Sequence, residues 1–222
     1  MSMPDRDRGV LFDLDGTLAD TAPDMTLALN QVLRANGRSA LPSETVRPHV
    51  SHGAKALIRL GFRLNPGDAG YDRLRQDFLD AYRAHIDVHT RLFPGIADLL
   101  DTLDSWRVPW GIVTNKPAWL TDPLLSSLDI GDRAGCVVSG DTTPFAKPHP
   151  EPIHYACRQI RRPEYGCWYV GDAARDIQAG RAAGTRTLIA LFGYLGEDDT
   201  PESWGADGMV SSPLDMLGWL GG

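Results

Sequence analysis

Four carboxylates, a lysine and a threonine hold the chemistry open to this chain. Asp13 and Asp15 stand one residue apart where the apolar run Val10-Leu11-Phe12 gives way to Gly16 and Thr17. Thr114 and Asn115 follow a second apolar run, Trp110-Gly111-Ile112-Val113. Lys147 lies in the Pro-rich stretch Lys147-Pro148-His149-Pro150. Asp172 comes after Cys167–Val170 and Gly171, with Asp176 one helical turn beyond it. Alternation along a strand puts residues i and i+2 on one side, so Asp13 and Asp15 are expected to reach a single site. Carboxylates gathered without a cation repel one another and take up protons. An all-oxygen set suits a hard cation, Mg²⁺ in particular, bound through a few carboxylates and a phosphate oxygen. Its expected ligands are Asp13, Asp15, Asp172 and Asp176.

Lys147 and such a cation could together hold a phosphoryl group, whose transfer is mostly positioning and charge stabilisation. The expected catalytic set is then Asp13, Asp15, Thr114 and Lys147. Asp13, fixed at a strand end, is the nucleophile on phosphorus. Asp15 gives a proton to the leaving alkoxide and later takes one from water. The Thr114 hydroxyl holds non-bridging oxygens. Asn115, Arg47 and Gly53 are the expected substrate-binding residues, Arg47 because its planar fork matches a carboxylate. His49 and His52 lie near Arg47, but no His/Cys spacing supports zinc.

These residues need a frame that brings strand ends together. From Phe93 onward short apolar strands alternate with amphipathic helices, the pattern of a parallel sheet covered on both faces. Strands are expected at Trp110–Val113, Cys136–Val138, Cys167–Val170, Thr187–Leu191 and Gly208–Val210. Between Asp20 and Thr90 the apolar stripes are helical, as in Met25, Ala28, Leu29, Val32 and Leu33, and no strand is expected. The fold class predicted is α/β: a doubly wound parallel sheet with a helical insert after the first strand. The core covers residues 1–19 and 91–222, the insert residues 20–90. In such a sheet the carboxyl ends of the strands converge on the ligand site.

A formal net charge of −7 over 222 residues opposes nucleic acid and anionic membrane surfaces. Any anionic substrate therefore needs a locally positive pocket. Cys136, Cys157 and Cys167 form no C-x-x-C pair, which fits buried thiols in a reducing compartment. No secretory leader or transmembrane run is apparent, so a cytoplasmic protein, monomer or homodimer, is expected.

In its motifs the chain resembles the haloacid dehalogenase superfamily of phosphatases. Asp13-Leu14-Asp15-Gly16-Thr17, Thr114, Lys147 and Gly171-Asp172-x-x-x-Asp176 match the four motifs of that superfamily in order. The resemblance covers nearly the whole chain. It implies a capped Rossmann-like core and Mg²⁺-dependent hydrolysis through an aspartyl-phosphate. Val46–Ala54, Val113–Pro117 and Lys147-Pro148-x-Pro150 look like phosphoglycolate phosphatases and their relatives acting on N-acetylmuramic acid 6-phosphate. The implied substrate is a small phosphorylated carboxylate, 2-phosphoglycolate first. A sugar-phosphate mutase and a non-catalytic phosphate-binding protein are the rivals on this scaffold. Ala173 departs from the Ser or Asp usual in these relatives, which implies weaker metal binding.

Overall fold

The computed structural model describes residues 7–220. In chain order its strands are β1 (Gly9–Phe12), β2 (Ala19–Asp20), β3 (Arg91–Leu92), β4 (Trp110–Val113), β5 (Val137–Val138), β6 (Cys167–Gly171), β7 (Arg186–Ala190) and β8 (Gly208–Val210). The helices are α1 (Ala22–Ala35), α2 (Ser43–Val46), α3 (Gly53–Phe62), α4 (Tyr71–Ala84), α5 (Ile96–Ser105), α6 (Ala118–Ser127), α7 (Glu151–Gln159), α8 (Ala174–Ala183) and α9 (Met216–Leu220).

Among the described residues six strands form one sheet in the order β5-β4-β1-β6-β7-β8, every pairing parallel. Strand alternation divides the core in two. Val10 and Phe12 of β1, with Trp168 and Val170 of β6, join one apolar cluster; Leu11, Cys167 and Tyr169 join the other. Helices α5 and α6 cover the first face through Leu99, Leu103, Leu120 and Leu124. Helices α7 and α8 cover the second through Ile153, Ala156, Cys157, Ala179 and Ala183. The doubly wound α/β fold expected from the sequence is thus the fold observed. The three thiols are free, with Cys157 and Cys167 buried.

β1 lies between β4 and β6, the point where the order of connection reverses. Phe12 pairs with Ile112 on one side and Val170 on the other. The next residues on all three strands therefore emerge side by side, the crevice where open α/β sheets bind ligands.

Helices α1–α4 leave and rejoin the sheet at one place. β2 and β3 pair antiparallel there, Ala19 opposite Leu92 and Asp20 opposite Arg91. Two residues per strand are too few to show any periodicity, so this ribbon was not legible in the sequence. Buried Asp24 on α1 reinforces it, accepting the N–H groups of His89 (2.9 Å) and Thr90 (2.8 Å) and the Thr90 hydroxyl (2.8 Å). No helix among the described residues is long and apolar enough to cross a membrane.

Candidate active site

β1 stops at Phe12, one residue short of Asp13. The strand alternation expected for Asp13 and Asp15 consequently lapses, and their carboxylates take different partners. The Asp13 N–H still donates to Val170 O (2.8 Å), which extends the β1–β6 pairing by one bond. Asp13 Oδ1 accepts the N–H of Leu14 at 2.8 Å. The chain then turns at Gly16, whose φ is +85°. A side chain at Gly16 would also collide with the Asp172 carboxylate, so this position needs glycine twice over.

Lys147 anchors the acidic cluster. Its Nζ lies 2.8 Å from Asp13 Oδ1 and 2.8 Å from Asp176 Oδ1. Val113 O (2.8 Å) and the Tyr169 hydroxyl (2.7 Å) are also within reach. An ammonium has three N–H donors, so these four acceptors more than saturate it. Asp176 Oδ2 accepts the N–H of Ala173 at 3.1 Å. Asp172 Oδ2 accepts the Tyr194 N–H (2.9 Å) and the hydroxyl of Ser51 (2.6 Å), which stands just before α3. Its Oδ1 is buried with no hydrogen-bond partner among the described residues. Oxygens of Asp13, Asp172 and Asp176 lie within 4.8 Å of one another. Three converging carboxylates, one with an unsatisfied oxygen, fit the donor set of a hard divalent cation.

The cluster titrates accordingly. Burial, followed by the nearby Asp13 and Asp176 charges, pushes the Asp172 carboxyl up to about 7, against the lowering effect of the Ser51 and Tyr194 hydrogen bonds. Burial and Asp176 raise Asp13 to about 6, with Lys147 and Arg175 opposing. Burial works against ionisation of Asp176 too, but Lys147 and Arg175 outweigh it and hold Asp176 below the usual carboxylate value. One lysine therefore serves two acids unequally, and a further cation beside the cluster would favour the ionised form of all three.

Asp15 belongs to a second arrangement. Its Oδ1 accepts the Thr21 hydroxyl at 2.6 Å and lies 2.7 Å from the Nζ of Lys116. Lys116 Nζ also donates to the Tyr82 hydroxyl of α4 at 2.7 Å. Both arrangements open into one cavity of about 1190 Å³, bounded on the sheet side by Asp13, Asp15, Thr114, Lys116 and Lys147. Ser51, Gly53 and the exposed face of α3 close it from the other side.

The structure brings Asp13, Thr114, Lys147, Asp172 and Asp176 together and gives three other candidate residues surroundings of their own. Asp15 is turned away from the carboxylate cluster by Lys116 and Thr21, so its side chain is not placed as a metal ligand. Arg47 lies off the cavity: it pairs with Asp20 at 2.9 Å and stacks over the Tyr194 ring, 4.8 Å from its centre. Asn115 reaches the cavity, but its amide is engaged by the Lys147 main chain, donating to the carbonyl (2.9 Å) and accepting the N–H (3.0 Å). Gly53, with φ +67°, lines the cavity.

A profile of the haloacid dehalogenase-like hydrolases matches residues 10–190, a span that includes every residue of the acidic cluster. The chain belongs to that family. Among curated relatives of this haloacid dehalogenase-like hydrolase, the N-acetylmuramic acid 6-phosphate phosphatase of Pseudomonas putida is 38% identical over 209 residues, 94% of each chain. The phosphoglycolate phosphatase of Xanthomonas campestris is 41% identical, again over 94% of each chain. A crystal structure of a predicted phosphoglycolate phosphatase from Haemophilus somnus superposes with a TM-score of 0.86 at 24% identity, covering 98% of this chain and 99% of that one. It shares the fold.

Several residues of this hydrolase's site had no assigned role in the sequence reading. Lys116 is two positions past Thr114, and that i+2 spacing was its one signal. Arg175 lies between the two acids of the last motif and donates to the main-chain oxygen of Ser51 at 2.5 Å. Tyr194, in a loop rich in Gly and acids, is buried; its hydroxyl accepts the Thr21 N–H at 2.6 Å while its own N–H holds Asp172. No local pattern marks such a residue, because its partners lie 22 and 173 positions back.

Proposed function

We propose that this hydrolase is a magnesium-dependent phosphomonoesterase that works through an aspartyl-phosphate on Asp13 and acts on a small phosphorylated carboxylate. The observation that carries this reading is the contact of Lys147 Nζ with both Asp13 and Asp176, beside an Asp172 oxygen that nothing else satisfies. Residues 20–90 act as the cap over a core of residues 1–19 and 91–222. Asp13, Asp172 and Asp176 would hold Mg²⁺, which when bound supplies the positive charge that three acids and a phosphoryl group require.

The chain's own groups divide the work. Lys147 fixes the Asp13 carboxylate and faces the phosphoryl oxygens; the Thr114 hydroxyl holds one of them. An Asp13 oxygen bonds to phosphorus as the ester P–O bond breaks, and Asp15 protonates the departing alkoxide. Water then attacks the same phosphorus and loses its proton to Asp15, which releases phosphate and restores Asp13. Asn115 acts from behind by fixing the main chain at Lys147. Ala173 offers no side-chain oxygen to the metal shell, and its N–H steadies Asp176 instead.

The first candidate substrate is 2-phosphoglycolate, by likeness to relatives such as that of Xanthomonas campestris. N-Acetylmuramic acid 6-phosphate is the second, favoured by the Pseudomonas putida relative and by a cavity large enough for a hexose. A panel of small phosphate esters assayed with Mg²⁺ and with EDTA tests the reading. Turnover that survives chelation would remove the metal, and no turnover of any ester would remove the hydrolase.

A further inference from the structure

Besides the acidic cluster, the cavity has a second charged wall. Lys55, Arg59 and Arg63 follow one another at four-residue intervals along α3 and its C-cap, and Arg75 projects from α4; all four line the cavity and all are exposed. Residues four apart share a helix face, and the opposite face of α3 is buried through Leu57, Ile58 and Phe62. Among the described residues no ion pair or hydrogen bond engages these four side chains. Arg73, two residues before Arg75 on α4 and outside the cavity, is by contrast held by Asp77 (2.8 Å) and Asn36 (3.0 Å).

Two bland explanations do not account for the row. Helix-dipole complementation favours cations in the last turn; it covers Arg59 but not Lys55, which sits in a first turn that contains no acid. A solvated face is ordinary in a basic protein, but this chain has a net charge of −7 and, among the described residues, the acids on the cavity wall are Asp13 and Asp15, each already paired with a lysine. Like charges four apart weaken a helix, so the row is unfavourable until an anion joins it.

Its direction suggests which anion. Ser51, two residues before α3, touches Asp172, so the helix starts beside the acidic cluster. At about 1.5 Å per residue, Arg63 lies about 12 Å further along the axis than Lys55. With bonds of about 1.5 Å, a two-carbon phospho-acid keeps its carboxylate within about 5 Å of phosphorus and cannot reach along that row. We propose that Lys55, Arg59, Arg63 and Arg75 form a second anion subsite, for a carboxylate carried on a sugar-sized group well separated from phosphorus. The proposal rests on the phosphomonoesterase reading and makes a phosphorylated sugar acid, rather than a two-carbon acid, the preferred substrate class.

The test compares N-acetylmuramic acid 6-phosphate with N-acetylglucosamine 6-phosphate, which lacks its carboxylate, on wild type, Arg59→Ala, Arg63→Ala and the control Arg73→Ala. Wild type should prefer the acid. Arg59→Ala and Arg63→Ala should each raise KM for the acid about tenfold more than for the neutral sugar, the scale of one lost charged hydrogen bond. Arg73→Ala should keep the wild-type ratio. Equal changes for both sugars, or no preference in wild type, would overturn the subsite while leaving the phosphatase in place. Calorimetric titration of both sugars in EDTA reads the same discrimination from affinity, so a protein that hydrolyses neither ester would sink the phosphatase reading and still decide the subsite.

Discussion

Lys116 and Asp15 form a part-buried ion pair at 2.7 Å across 101 positions of sequence. The pair gives Asp15 one orientation, toward the cavity, and Tyr82 on α4 holds the lysine from the other side. An acid that must meet both a leaving oxygen and an incoming water gains most from being fixed in this way.

Lys116→Met should therefore lower kcat on an aryl phosphate roughly 100-fold, the scale of a misplaced catalytic group, with KM changing far less. Steady-state kinetics on a variant with unchanged circular dichroism checks it. A drop confined to KM would assign Lys116 to substrate binding instead.

Asp13→Asn should reduce turnover at least roughly 1000-fold, because the amide oxygen is a poor nucleophile. Mass spectrometry of acid-quenched wild type should find a phosphoryl adduct on the peptide containing Asp13, absent from the variant. Near-wild-type turnover by Asp13→Asn would take the nucleophile's role from this residue.

Lys147→Met leaves Asp13 and Asp176 buried without their shared cation, a loss on the order of 3–5 kcal/mol for a broken buried pair. Urea unfolding without metal should show a loss of that size. Mg²⁺ should recover more stability in the variant than in wild type, since it then supplies the missing charge. An equal Mg²⁺ increment in both proteins would mean that metal and lysine serve different groups.

The raised acids fix the sign of a pH effect. Asp172 keeps its proton to about pH 7 in the folded chain, against an ordinary value of 3.8, and Asp13 keeps its own to about 6. Between those limits the folded state binds more protons than the unfolded one, so these two groups make metal-free stability fall as pH rises from about 4 to 7. Asp176, shifted down, contributes in the opposite direction but only below its ordinary value of 3.8, outside that window. A metal that needs ionised ligands must expel those protons. Titration calorimetry with Mg²⁺ at pH 6 should give heats that depend on the buffer's ionisation enthalpy, and at pH 8 the dependence should vanish. Buffer-independent heats at pH 6 would contradict the raised values.

Arg47→Ala should cost at most about 1 kcal/mol, the worth of a partly exposed ion pair. It should change KM for 2-phosphoglycolate and for an aryl phosphate by the same factor. A selective loss on the carboxylate would return Arg47 to the substrate.

The sheet and the acidic cluster were legible because both rest on local signals. Apolar runs ending in Asp13, Thr114 and Asp172 mark strand ends, and parallel topology brings strand ends together without further information. The partners of Asp15 and Arg47 were not legible. Strand alternation put Asp15 beside Asp13, but β1 ends at Phe12, and once the chain turns at Gly16 side-chain direction is set by distant lysines. Arg47 has the chemistry of a carboxylate clamp, yet Asp20 and Tyr194 are nearer to it than the cavity is. Residue type limits what a side chain can do, and only tertiary packing decides which neighbour it meets.

The antiparallel ribbon of Ala19–Asp20 and Arg91–Leu92 makes the helical segment modular. Its entry and exit points are adjacent, so to the sheet the whole segment is one long loop with its ends already joined, and loop-closure entropy grows only slowly with length. Insertions, deletions or wholesale exchange between Asp20 and Arg91 leave the strand order beneath untouched. The chain can thus be rewritten between Asp20 and Arg91 while the strand ends that carry Asp13, Thr114 and Asp172 keep their places.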